Sequence, residues 1–182
     1  KSESLEDYFD ALRFGLPRSP ALAHRLDRDT TGCLVLGRHP KALRKLHKLF
    51  AEGRAEKTYW AICRGAPSAA SGVVNAPLKK LNDETGWRMM IAEDGLLATK
   101  DGLSFVEARP LTGRTHQIRV HLASVGCPIT GDPQYGAPED RDRPMMLHAR
   151  RIELPISKSR PAVVVEAPPP ASMARMIERF NV

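Results

Sequence analysis

The apolar positions change period several times along the chain. Leu5, Tyr8, Phe9, Leu12 and Leu16 recur at steps of three and four, which predicts a short amphipathic helix ended by Pro17 and Pro20. Cys33–Leu36 is a brief apolar run that predicts a buried strand. Pro40 opens a second helix with Leu43, Leu46, Leu49 and Phe50 on one face and Lys41, Arg44, Lys45 and Lys48 around the rest, and Gly53 stops it. Lys57–Cys63 reads as a strand buried on both faces, with Thr58, Trp60 and Ile62 on one side and Tyr59, Ala61 and Cys63 on the other. Gly65–Gly86 reads as loop, and Trp87–Ala92 and Leu103–Arg109 as strands. Thr115 is placed to cap a helix carrying Ile118, Leu122 and Val125, which Gly126 and Pro128 end. A loop over 131–144, two late strands at Met145–Leu154 and Ala162–Ala167, and a helix at Ala171–Phe180 complete the pattern. Strand neighbours mixed with interspersed helices predict an α+β fold.

The length of 182 residues fits a single domain over 1–182, large enough to bury a core. The longest strictly apolar run, Tyr59–Cys63, is far too short for a membrane span, so no membrane partner is expected. Three scattered cysteines, Cys33, Cys63 and Cys127, show no metal-ligand spacing and fit a reducing cytoplasm. The net charge of +7 changes the picture more, because arginine supplies most of the 28 basic residues. Guanidinium groups pair bidentately with phosphate, so nucleic acid becomes a natural partner.

Three segments carry candidate chemistry. In His24-Arg25-Leu26-Asp27-Arg28-Asp29-Thr30-Thr31-Gly32, Asp27 has two arginines within two residues, and nearby cations favour the charged carboxyl. Such a group serves as nucleophile or base, or belongs to a plain charged turn. In Thr112–His121 a glycine turn leads into a helix start, with Arg119 placed at the border of the buried face. His116 and His121 lie about 140° apart on a helix, which argues against one shared metal ion. The third segment is Tyr59, between Lys57 and Trp60 on a strand, a packing residue or a site residue. The acidic residues Glu139, Asp140 and Asp142, interleaved with Arg141 and Arg143, read as a solvated turn.

Taken together, these segments resemble the pseudouridine synthases of the RluA/RsuA type. His24–Asp27 with Thr30-Thr31-Gly32 is similar to that family's HRLDxxTSG motif, with Thr31 where serine is usual. Lys57-Thr58-Tyr59-Trp60-Ala61 is similar to its KxYxA strand, and Gly113–His121 to its GRTHQIRVH segment. Gly131–Gly136 resembles GDxxYG, and Leu147-His148-Ala149 the late LHA strand. The resemblance runs from about residue 21 to 167 in the family's order.

What the resemblance implies is a mixed, largely antiparallel sheet flanked by helices, with a central basic cleft. It implies isomerisation of uridine to pseudouridine in ribosomal or transfer RNA, without cofactor or metal, by a monomer. Asp27 is the implied nucleophile, Tyr59 the stacking and proton-handling group, and Arg119 the arginine that pairs with Asp27. Arg25, Arg28, Arg114 and His116 are the implied RNA contacts, with Arg25 filling the gap the target base leaves. The family's strand segment ahead of HRLD has no counterpart before His24, and no separate RNA-binding domain is expected. The alternative is a non-catalytic RNA-binding module on the same fold, which would not need Asp27, Tyr59 and Arg119 all intact.

Overall fold

A computed structural model describes residues 3–68, 71–74 and 89–181. Its strands are β1 (Ala21–Leu22), β2 (Thr31–Gly32), β3 (Leu36–Gly37), β4 (Glu56–Arg64), β5 (Gly72–Val74), β6 (Met89–Lys100), β7 (Leu103–Pro110), β8 (Leu147–Leu154) and β9 (Val163–Glu166). The helices are α1 (Pro40–Ala51), α2 (Gln117–Ser124) and α3 (Ala171–Glu178). The large sheet runs β2-β8-β4-β7-β6-β5, and β9 also pairs with β8. Among the described residues only the β2–β8 pairing of this sheet is parallel. The expected α+β class with a mixed, largely antiparallel sheet is therefore found.

β4 sits between β8 and β7, so its residues are covered on both sides, and Ala61, Ile62 and Cys63 are fully buried. A first apolar cluster gathers them with Phe105, Val106, Leu122, Ile129, Leu147 and Met173. A second gathers Ala23, Cys33, Leu46, Ala149, Ile152 and Leu154. Tyr59 packs against both clusters. A one-residue bulge makes this possible: Thr58 pairs with Arg151 but Tyr59 with Ala149, leaving Arg150 unpaired. The extra residue flips the alternation of β8, so Ala149 and the even-numbered Ile152 and Leu154 face the same cluster.

β2 lies close against β8 because Gly32 has no side chain. A Cβ there would collide with the backbone of Ala149, and φ is +109°, a value suited to glycine. Thr31 and Gly32 thus pair with His148 and Ala149, and Cys33 N–H donates to Ala149 O at 2.9 Å. The expected Cys33–Leu36 strand is replaced by two short ones, β2 and β3, with a bend between them. After Cys33 the chain turns away from β8, and Val35 O accepts from Ala23 N–H at 3.0 Å beside the β1–β3 pair.

Other expectations are corrected by packing. The stretch Leu5–Leu12 is a 3-10 helix of which only Phe9 is buried, while Leu5 and Tyr8 are exposed. β6 extends to Lys100 with two register shifts, well past Ala92. Trp87 and most of the expected Gly65–Gly86 loop lie outside the described residues. Asp140 is buried, not solvated: Arg64 at the end of β4 donates to it twice, at 2.9 and 2.7 Å. The cysteines Cys33, Cys63 and Cys127 are buried and free.

Candidate active site

The HRLD segment enters the site because alternate residues are anchored. His24 Nε2 accepts from Val35 N–H at 3.0 Å, and its ring stacks on Phe50 at 4.6 Å between centroids. Burial, and then the charge of Lys57, push the His24 pKa down to about 4, so the imidazole is a neutral acceptor. Leu26 packs against the second cluster. Arg25 and Asp27, between and after these anchors, line a small open cleft. Thr30 N–H closes the turn on Asp27 O at 3.0 Å.

The opposite wall comes from the turn before α2. Thr112 Oγ1 donates to Gln117 Oε1 at 2.6 Å, and Arg114 N–H donates to the same oxygen at 3.2 Å. Lys57 reaches across from β4 and donates to Thr112 O at 2.9 Å. Burial pushes the Lys57 pKa down. This locked turn puts Arg114 on the cleft wall. It also corrects the expected cap. α2 starts at Gln117, two residues after Thr115, and His116 precedes it in the left-handed region at φ +57°. The Gln117 side chain satisfies the turn in place of a Thr115 cap.

Arg119 does not reach the cleft, as it is 5% exposed. Its Nε and Nη2 donate to Asp132 Oδ2 and Oδ1, both at 2.7 Å, and its Nη1 lies 3.9 Å from Asp27 Oδ2. The expected Arg119–Asp27 pair is thus the longer contact of a chain whose tight member is Asp132. Burial opposes charge on Asp132, but hydrogen bonds from Arg119 and from Tyr135 and Gln134 N–H hold its carboxyl below the usual range. Tyr135 covers the guanidinium at 5.2 Å to the ring centroid, and its hydroxyl lies 3.2 Å from His116 Nδ1. Fixed at one end, Arg119 presents Nη1 to Asp27 from behind the cleft.

Tyr59 lines the cleft from the β4 side. Burial, and then the Asp27 charge, push its phenol pKa well up, so the neutral hydroxyl is favoured. Thr30 also lines the cleft, and its Oγ1 is buried with no hydrogen-bond partner among the described residues. Thr31 Oγ1 lies 2.8 Å from His148 Nδ1, and His148 Nε2–H donates to Ala167 O at 3.0 Å. Burial pushes the His148 pKa down, so Nδ1 accepts the threonine proton. The threonine in place of serine keeps its hydroxyl in use.

The structure therefore brings Asp27, Tyr59, Arg25 and Arg114 onto one cleft, with Arg119 behind Asp27. Arg28 and His116 are not among its lining residues. Sequence reasoning missed Lys57, Thr30 and Asp132 as site residues. The signal for Asp132 was the paired glycines around it. A Cβ at Gly131 would collide with Pro144 O and one at Gly136 with Asp132 O, so this loop folds tightly enough to bury a carboxylate.

A mixed sheet whose central strand and a preceding loop place a tyrosine and one carboxylate on a cleft whose other charged residues are cations is the arrangement of an enzyme's catalytic domain that takes an anionic substrate. The family model described as RNA pseudouridylate synthase matches residues 3–124, and the chain belongs to that family. It is an RNA pseudouridine synthase, an isomerase acting on RNA. It is 44% identical over 180 residues to an uncharacterised RNA pseudouridine synthase of Zymomonas mobilis, covering 93% of this chain and 82% of that protein. It is 37% identical over 147 residues to the ribosomal large subunit pseudouridine synthase C of Rickettsia bellii, covering 73% of this chain and 48% of that one. The solved structure of human RNA pseudouridylate synthase domain containing 4 superposes with a TM-score of 0.85 at 24% identity, over 98% of this chain and 84% of that one.

Proposed function

We propose that Asp27 is the catalytic group of this synthase and that its substrate is ribosomal or transfer RNA. The observation that carries the assignment is the lining of the cleft. Asp27 is its one acidic residue among the described residues, against Arg25, Lys57 and Arg114. Its side chain is 17% exposed, enough to meet a ligand while sheltered from bulk water.

The reaction breaks the N1–C1′ bond, turns the uracil over and joins C5 to C1′; N1 gains a proton and C5 loses one. The target base leaves the stack, at a cost of a few kcal/mol. Arg25, exposed on the rim, fills the gap, and the Tyr59 ring packs on the extruded base. Three routes use the same carboxylate: attack on C1′, attack on C6, or proton removal toward a glycal. Each needs Asp27 held in place, which Arg119 Nη1 does at 3.9 Å. The raised Tyr59 pKa disfavours a phenolate, so the C5 proton passes to Asp27. Thr30 Oγ1, buried beside the cleft with no hydrogen-bond partner among the described residues, is a polar group that substrate binding or an ordered water would satisfy.

The test is release of tritium from RNA labelled at uridine C5, run separately on unmodified ribosomal and transfer RNA. The parent releases tritium, and Asp27→Asn falls to background while still binding RNA. Activity retained by Asp27→Asn would sink the assignment. RNA bound without release by either protein would favour the binding-module reading.

A further inference from the structure

The mechanism leaves unused the polar face of α1. Lys41, Arg44, Lys45 and Lys48 are all exposed, and at 3.6 residues per turn they fall within an arc of about 100°. Leu46 and Leu49, buried, fall outside that arc. Neighbours three or four apart on such a stripe have Cβ atoms about 5–6 Å apart. Lys48 shares an exposed pair with Glu52 at 3.7 Å, and the other three form no ion pair among the described residues. The first turn of α1 holds no acidic residue but carries Lys41 beside the positive end of the helix dipole. That placement costs helix stability, and the offset comes from the His39 side chain, which accepts from Ala42 N–H at 3.2 Å, and from Pro40 in the first turn, not from an acidic partner.

The stripe also leads somewhere. Ala51 follows Lys48 by three residues and Arg44 by seven, so it continues the same side of the helix. With Phe50 and Gly53 it lines a wider opening that shares Arg25, Lys57, Tyr59 and Arg114 with the Asp27 cleft. The side of the helix that carries the stripe therefore meets the wider opening at Ala51, one turn past Lys48, and the four cations run back from there over about 10 Å of helix.

We propose that this stripe is a second RNA-binding surface, which holds backbone phosphates of the RNA flanking the target uridine. The inference rests on the RNA-modifying reading of the cleft and extends it to substrate length. Charge complementarity and continuity with the cleft select a polyanion threaded through both. RNA long enough to occupy both is held by the stripe, and an oligonucleotide that only fills the cleft is not.

The test compares the parent with Lys41→Gln/Arg44→Gln/Lys45→Gln, and with Lys41→Arg/Arg44→Lys/Lys45→Arg as the charge-keeping control. Binding of unmodified total RNA is measured against salt, and tritium release is measured on total RNA and on a short uridine oligonucleotide. For the neutral variant the slope of log K on log salt falls by about 2, from ~0.7 per phosphate contact on single strands. KM on total RNA rises on the order of tenfold, from the same salt-linked loss. Its kcat and its turnover of the short oligonucleotide stay as in the parent, and the control behaves as the parent. An unchanged slope and KM in a variant with parental circular dichroism would overturn the proposal, as would equal losses on the short oligonucleotide. Should the triple variant misfold, Lys45→Gln alone lowers the slope by about 0.7; no change there also overturns it. No tritium release by the parent, with the slope still lowered in the variant, would defeat the catalytic reading and leave this surface standing.

Discussion

Asp132→Asn is the sharpest test of how the site is held. Oδ1 of Asp132 accepts from Gln134 N–H at 2.9 Å, Tyr135 N–H at 3.0 Å and Arg119 Nη2 at 2.7 Å, and Oδ2 accepts from Arg119 Nε at 2.7 Å. An asparagine that keeps its oxygen on the crowded side turns its amide NH2 toward Arg119 Nε–H, donor against donor. The guanidinium is then buried with its main counter-charge gone. Breaking a buried pair in this way costs about 3–5 kcal/mol. Asp27, 3.9 Å away, still compensates part of the charge, so the lower end, about 3 kcal/mol, is expected. Against a total stability of ~5–15 kcal/mol that is a large fraction. With a urea m-value of ~2 kcal/mol/M, the unfolding midpoint drops by about 1.5 M. Adding Arg119→Met removes the stranded charge, so the double variant loses clearly less than the two single losses combined. Both variants lose kcat, because Asp27 loses its fixed neighbour. A midpoint shift worth less than about 1 kcal/mol, or single losses that simply add, would refute the buttress.

Other outcomes follow from the same geometry. Since the Tyr59 phenol is pushed up by burial and by Asp27, kcat is flat from pH 7 to 9, and the ratio of Tyr59→Phe to parent is constant there; a tenfold rise per pH unit in the parent alone would mean a phenolate base. His24 has a folded pKa of about 4, below the ordinary 6.5, so the unfolded chain takes up the proton first and stability is complete only above pH 6.5. It is lost as pH falls from 6.5 toward 4, by about 2 kcal/mol at pH 5, and urea titrations of His24→Gln show a correspondingly flatter dependence. Gly32→Ala forces a Cβ into the Ala149 backbone and strains a positive φ, which costs at least about 2 kcal/mol and pulls the Asp27 turn from β8. Thermal melts and tritium release check both effects; parental values for both would show that β2 has room to give.

The sequence alone carried the elements whose physics is local. The α1 stripe of Leu46 and Leu49 against lysines, the Pro40 start and the Gly53 stop are decided by residues within one helix. The doubly buried strand around Ala61 was legible from its unbroken apolar composition. Asp27 and Tyr59 were legible because their motifs are contiguous. What the sequence left undecided depends on partners distant along the chain. Arg119 meets Asp132 thirteen residues on, and Arg64 meets Asp140 seventy-six away; Asp140 reads as a solvated loop charge, and each carboxylate is buried because a guanidinium faces it. The parity change on β8 at Arg150 has no local signature, since the bulge exists only in register with β4. Short-range chemistry fixes which residue types stand near one another. Desolvation and cross-strand register, which only the folded chain defines, decide which of them are charged, which are pinned, and which face the cleft.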